Sequence, residues 1–123
     1  MYVPAYVNMG FKYQVMGNHE KAIEYFLKVI KLNPEEHLAY SNMSYSLMKI
    51  GELRKALKNI NKSIELNSLN PYAYRNRALI YLEQENVCKA CEDIDKGLEN
   101  GFTLSFGEEL EELKKEFCKG VRN

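Results

Sequence analysis

The sequence predicts an all-α solenoid of about seven helices. Three observations lead there. The chain repeats itself with a period of 34 residues: Ala22, Ala56 and Ala90 share one column, and so do the small residues Gly10, Ser44 and Ala78. Apolar residues within each unit recur at helical spacing. Gly, Asn and Pro mark the breaks, as expected where helices stop and start. Tyr6, Tyr40 and Tyr74 keep the same step, as do Phe26, Ile60 and Ile94. Self-similarity over this many columns is the signature of a repeat architecture.

Composition sets the outer bounds. At 123 residues the chain is one domain's worth. Lysine plus arginine number 17 and aspartate plus glutamate 17, so no basic excess advertises nucleic-acid binding. The balance is uneven along the chain: the first two repeats taken together are basic, through the second, and the chain beyond them is acidic. No apolar run approaches the ~18 residues needed to span a bilayer, and Met1-Tyr2-Val3-Pro4 does not open a secretory signal. Three cysteines make no disulfide framework, and an odd count points to a reducing compartment, hence the cytoplasm.

Three units follow in order: 3–36, 37–70 and 71–104. Each holds two helical stretches. In the first unit Ala22, Ile23, Phe26, Val29 and Ile30 fall on one face of a helix. Gly17-Asn18, Gly51-Glu52 and Glu85-Asn86 mark the turns between paired helices, with Gly suited to positive φ and Asn to capping. Asn33-Pro34 and Asn70-Pro71 read as helix starts, Asn as cap and Pro in the first turn. The third unit departs by placing Glu85 where the others have Gly.

A last helix is predicted over 105–119. Ser105 and Glu108 have capping-box spacing, and Phe106, Leu110, Leu113 and Phe117 form its apolar stripe. Glutamates early and lysines late suit the helix dipole. One apolar stripe beneath a charged face is what the end of a solenoid requires. At the other end the chain enters its first unit almost at once, which predicts either a longer array or an end that pairs with another molecule.

These columns resemble the tetratricopeptide repeat (TPR) family, whose unit is a 34-residue helix–turn–helix. The first unit carries Tyr6, Met9, Gly10, Tyr13, Gly17, Ala22, Phe26, Val29 and Pro34 in the family's positions; the second carries Tyr40, Met43, Ser44, Leu47, Gly51, Ala56, Ile60 and Ser63; the third carries Tyr74, Ala78, Tyr81, Ala90, Ile94 and Gly97. Ser68 stands where Pro is usual, and Arg77 where Leu is commonest. The resemblance implies a single domain over 1–123, a right-handed α–α superhelix of three hairpins and a capping helix. It also implies a non-catalytic scaffold that binds a peptide or protein segment in a concave groove.

The groove residues follow from the register of the first helices. They are Val7, Asn8 and Phe11 in the first unit, Leu38, Asn42, Tyr45, Met48 and Lys49 in the second, and Tyr72, Arg75, Asn76 and Leu79 in the third. Asn8, Asn42 and Asn76 form a column of amides, able both to donate to and to accept from a peptide backbone. Phe11, Tyr45, Tyr72 and Leu79 would take side chains, and Arg75 and Lys49 a carboxylate. In relatives that hold the acidic C-terminus of heat-shock chaperones, basic residues occupy the positions of Val7, Tyr72 and Asn76, and Asn those of Phe11 and Asn42. Only Asn42 is retained, so the resemblance does not extend to that ligand.

Two alternatives stand beside this reading. One is a self-associating structural fragment of a larger array, a homo-oligomer. The other is a thiol redox or metal role for Cys88 and Cys91, a CxxC at the start of a helix. Against it, zinc needs about four ligands, and Cys91 aligns with Ile23 and Leu57, as a small core residue would. No phosphate loop or paired carboxylates appear, and no serine or cysteine has a visible base partner, so neither enzyme chemistry nor a metal or other cofactor is expected.

Overall fold

The computed structural model describes residues 3–101 and 108–120. Among them are seven helices: α1 (Val3–Val15), α2 (His19–Leu32), α3 (His37–Lys49), α4 (Leu53–Leu66), α5 (Pro71–Glu83), α6 (Val87–Glu99) and α7 (Glu109–Phe117). The chain forms two compact units, Met1–Ser68 with α1 to α4 and Leu69–Asn123 with α5 to α7.

The repeat columns are the core columns. Ala22, Ala56 and Ala90 are wholly buried, and so are Phe26, Ile60 and Ile94. Gly10, Ser44 and Ala78 are buried as well. A residue this small is required where α1 crosses α2: a Cβ on Gly10 would lie 2.6 Å from the Phe26 ring. In the second hairpin the Ser44 hydroxyl turns back onto its own helix and donates to Ser41 O at 2.6 Å.

The turns obey the expected chemistry with two exceptions. Asn18, Asn70 and Asn86 cap α2, α5 and α6, each side chain accepting a first-turn amide. Gly17 and Gly51 take φ of 82° and 86°. Glu85, in the same column, adopts φ 60°, the one positive φ outside glycine among the described residues. Asn33-Pro34 is a correction to the expected helix start. Asn33 ends α2, its side chain accepts from Glu35 N at 3.2 Å, and α3 begins only at His37. Pro34 therefore belongs to the turn, where its fixed φ is equally at home.

The terminal helix begins later than expected, at Glu109, and Glu108 makes no side-chain cap. The capping box and Phe106 lie outside the described residues. Leu110 is wholly buried and packs with Ala78 and Ile94. It fits because α6 has Gly97 there: a Cβ would sit 2.5 Å from Leu110 Cδ1. Phe117, at the end of the expected stripe, is exposed.

The cysteines differ from the sequence reading. Cys91 is buried as a core residue, 1% exposed, but it is disulfide-bonded to Cys118, with Cα atoms 5.7 Å apart. Cys88 is an exposed free thiol, so the CxxC does not pair within itself. The 27-residue separation joins the third repeat to the end of α7, beyond the reach of any repeat register. A disulfide also argues against the reducing compartment inferred from the odd count.

Candidate functional site

The residues expected to bind a partner lie on α1 and α3 in the first compact unit and on α5 in the second. In the first unit, Asn8, Phe11, Leu38 and Lys49 are exposed, whereas Val7, Asn42, Tyr45 and Met48 are half-buried. Phe11 keeps 50% of its surface in solvent. Gln14 ties the two helices together, its amide donating to Asn42 O at 2.7 Å and to Ser46 Oγ at 2.8 Å. Lys49 lies over the Tyr45 ring, 5.5 Å from its centroid, and His19 meets the same ring edge-on. The face thus combines apolar side chains with amides and one cation.

Behind that face the structure pairs His19 with Ser46, a contact the sequence did not reveal. His19 Nδ1 lies 3.0 Å from Ser46 Oγ. Gln14 donates to the same oxygen, so one hydroxyl ties together α1, α2 and α3. Burial holds the His19 pKa below its ordinary value and the Lys49 charge adds to this, with Glu20 opposing. A serine beside a histidine suggests nucleophilic catalysis, but Ser46 is wholly buried. The pair is closed to substrate and serves as packing.

In the second unit the expected set divides. Tyr72, Arg75 and Leu79 are half-buried. Arg75 stacks on Tyr72 with 5.1 Å to the ring centroid. It grips Glu109 of α7 in a fork, Nε to Oε1 at 2.7 Å and Nη2 to Oε2 at 3.1 Å. The guanidinium expected to take a ligand's carboxylate therefore already holds one from its own chain. Asn76 corrects the amide column: it is 1% exposed, and its Oδ1 accepts from Arg75 Nη1 at 2.8 Å. Arginine beside it and α7 turn this amide inward, to orient Arg75 instead of meeting a backbone.

One cleft lies apart from the expected residues. About 410 Å³ in volume, it is floored by Met43 and Leu47, walled by Ile23 and Leu27, and rimmed by Lys55, Lys58 and Asn59. Among the described residues no three His, Cys, Asp or Glu side chains are placed to share a metal ion. No helix among them is long and apolar enough to cross a membrane.

Paired helices with small residues at each crossing, repeated at a fixed step, define a helical-hairpin repeat protein. The chain belongs to the tetratricopeptide repeat family, whose models match residues 3–36 and 38–68. No curated protein matches it. Among solved structures it is similar to the TPR2B domain of yeast Sti1 in complex with an Hsp70 peptide, at 22% identity and a TM-score of 0.86, covering 95% of this chain and 96% of that one. The first TPR of Spaghetti (RPAP3) bound to the HSP90 peptide SRMEEVD gives 18% identity and a TM-score of 0.87, covering 97% and 94%. MamA gives 23% and 0.75, covering 95% and 72%. At these identities the likeness shows the fold, which is the all-α TPR solenoid.

Proposed function

We propose that this chain is a single non-catalytic TPR domain that binds a peptide or protein segment on the first helices of its repeats. One observation carries the reading: Phe11 and Leu38, large and solvent-exposed, flank the amides of Asn8 and Asn42 on two helices that Gln14 bridges. Apolar anchors supply binding energy and the amides read the backbone. Val7, Tyr45, Met48, Tyr72 and Leu79 extend the apolar surface in this reading, with Lys49 as a cation at its edge. Two of the similar structures carry chaperone peptides, which supports a peptide partner in general. The missing basic positions at Val7 and Tyr72 argue against the acidic chaperone tail itself. Neither nucleic acid nor a membrane belongs to this reading. A cytoplasmic location is retained within it as the expectation from composition; the exposed Cys88 thiol favours it and the Cys91–Cys118 disulfide opposes it.

The test is a peptide selection against the purified chain, followed by titration. Selected apolar peptides should bind the native protein at least tenfold more tightly than a Phe11→Ala/Asn42→Ala variant of unchanged helicity. SRMEEVD should not saturate it. Equal affinity for the double variant overturns the proposal.

Self-association is the second reading. Val15 and Met16 are 70% and 67% exposed at the end of α1, and Leu27 and Leu32 are exposed on α2. Apolar exposure of this extent marks interaction surfaces. Sedimentation at two concentrations decides it, since a strict monomer at both removes this reading.

A further inference from the structure

A disulfide closes the end of α7 onto α6. Cys91, buried on α6, is bonded to Cys118, the residue that follows α7. Cys88 is exposed and unbonded, three residues before Cys91 on the same helix. Non-covalent holds on α7 include Leu110 in its notch at Gly97, Leu113 packed beside it, the Arg75–Glu109 fork, and Lys114 on Asp95 at 2.8 Å. The disulfide adds a covalent hold just past the last turn, at the residue that closes the helix.

We propose that Cys88, Cys91 and Cys118 form a thiol-exchange site, in which Cys88 relays small thiols of the glutathione class to Cys91, the buried sulfur of the disulfide. The inference is independent of partner binding. Exchange requires a thiolate to attack a sulfur of the bond. Cys91 is 1% exposed and closed to an external thiol, whereas Cys118 is half-buried, so the relay is a second route beside direct attack on Cys118. Cys88 is its neighbour along the helix, since residues three apart bring their Cβ atoms to about 5–6 Å. A disulfide spans about 3.5–4.5 Å between Cβ atoms. The first turn of α6, whose leading amides lack intrahelical acceptors, can close that difference.

The steps balance. The Cys88 thiolate attacks Cys91 Sγ; a Cys88–Cys91 bond forms, the Cys91–Cys118 bond breaks, and Cys118 leaves as a thiolate that takes up the proton Cys88 gave. No electrons are gained. A glutathione thiolate then attacks the exposed Cys88 sulfur, forming a mixed disulfide and releasing Cys91 as a thiolate. A second glutathione attacks the glutathione sulfur of that mixed disulfide, giving oxidised glutathione and regenerating Cys88. Two glutathiones have supplied two electrons, and Cys91 and Cys118 are thiols. The last turn of α7 is then held without a covalent bond. Disulfides that occur in reducing compartments are usually of this transient kind.

The experiment uses the full chain, oxidised with oxidised glutathione, and reads three quantities. Peptide mapping without reductant should find Cys91 linked to Cys118; absence of that link overturns the proposal. On adding reduced glutathione, maleimide labelling of Cys118 should appear at least fivefold faster in the native chain than in Cys88→Ser; equal rates overturn the relay. Amide hydrogen exchange over 109–117 should be at least tenfold faster in the reduced than in the oxidised chain, with 71–83 unchanged. Equal exchange in both states overturns the claim that the bond controls the seat. Cys88 is exposed, so its serine variant leaves the core untouched.

Discussion

The guanidinium of Arg77 grips the carboxylate of Asp93 through two parallel hydrogen bonds, Nε to Oδ2 at 2.8 Å and Nη2 to Oδ1 at 2.7 Å. Asp93 is 2% exposed, and Arg77 lies between the rings of Tyr74 and Tyr81, at 5.7 and 5.9 Å. Burial opposes the arginine's charge, yet hydrogen bonding and the charge of Asp93 outweigh it and raise the Arg77 pKa. The pair replaces Met43 and Asn59 of the second repeat, residue for residue. Breaking a buried ion pair on one side leaves a charge without compensation, which costs about 3–5 kcal/mol. Asp93→Ala should therefore lower stability by roughly 3 kcal/mol in a denaturant titration. Arg77→Met combined with Asp93→Asn, which copies the second repeat, should fall within about 1 kcal/mol of the native chain, since well-packed replacements of buried pairs are often near neutral.

Glu85 occupies the left-handed turn that Gly17 and Gly51 fill elsewhere, at φ 60°. For a residue with a Cβ this conformation costs about 1–2 kcal/mol, partly offset because glycine loses more backbone entropy on folding. Glu85→Gly should stabilise the chain by about 1 kcal/mol, seen as a melting temperature a few degrees higher.

Gly10 tolerates no side chain, because the ring it faces is wholly buried. Three atoms of Phe26 lie 2.6 to 2.9 Å from the place a Cβ would take. Gly10→Ala should cost about 2 kcal/mol, in the range for overpacked cores. Adding Phe26→Leu should recover part of the loss, which thermal melting of both variants would show.

His19 links stability to pH. Its folded pKa lies below the ordinary 6.5, so near and below that value the unfolded chain binds the extra proton first. The contribution is fully present above pH 6.5 and is lost as pH falls through the folded value. His19→Leu, which copies Leu53 of the second repeat, should flatten the stability profile between pH 7 and 5. An unchanged slope in that variant would assign the dependence to other groups.

Much of this fold was legible in the residues. The columns led by Ala22, Phe26 and Gly10 marked the core because close helix crossings need small residues next to large ones, and a fixed period repeats that need. The turns were read from single residues, and Asn33-Pro34 misled because the same pair suits a helix start and a tight turn. What escaped were the places where two columns change together. Met43 to Arg77 and Asn59 to Asp93 are separate departures, and their pairing shows only when sixteen residues of chain fold back. The candidate site was legible only as far as helical register goes. Asn8 is exposed and Asn42 half-buried, but Asn76 turned inward because its neighbour is an arginine already engaged by α7. Cys91 was legible as core; its bond to Cys118 was not, since that residue lies beyond the last repeat.

Gly97 shares its column with Val29 and Ser63, both wholly buried, so the three repeats grow smaller there from first to last. Only the third leaves room for Leu110. The repeats are therefore not interchangeable parts: a chain with their order permuted would keep three sound hairpins yet offer its terminal helix no socket. The seat of α7 is written into α6, inside the third repeat, before α7 itself has been reached.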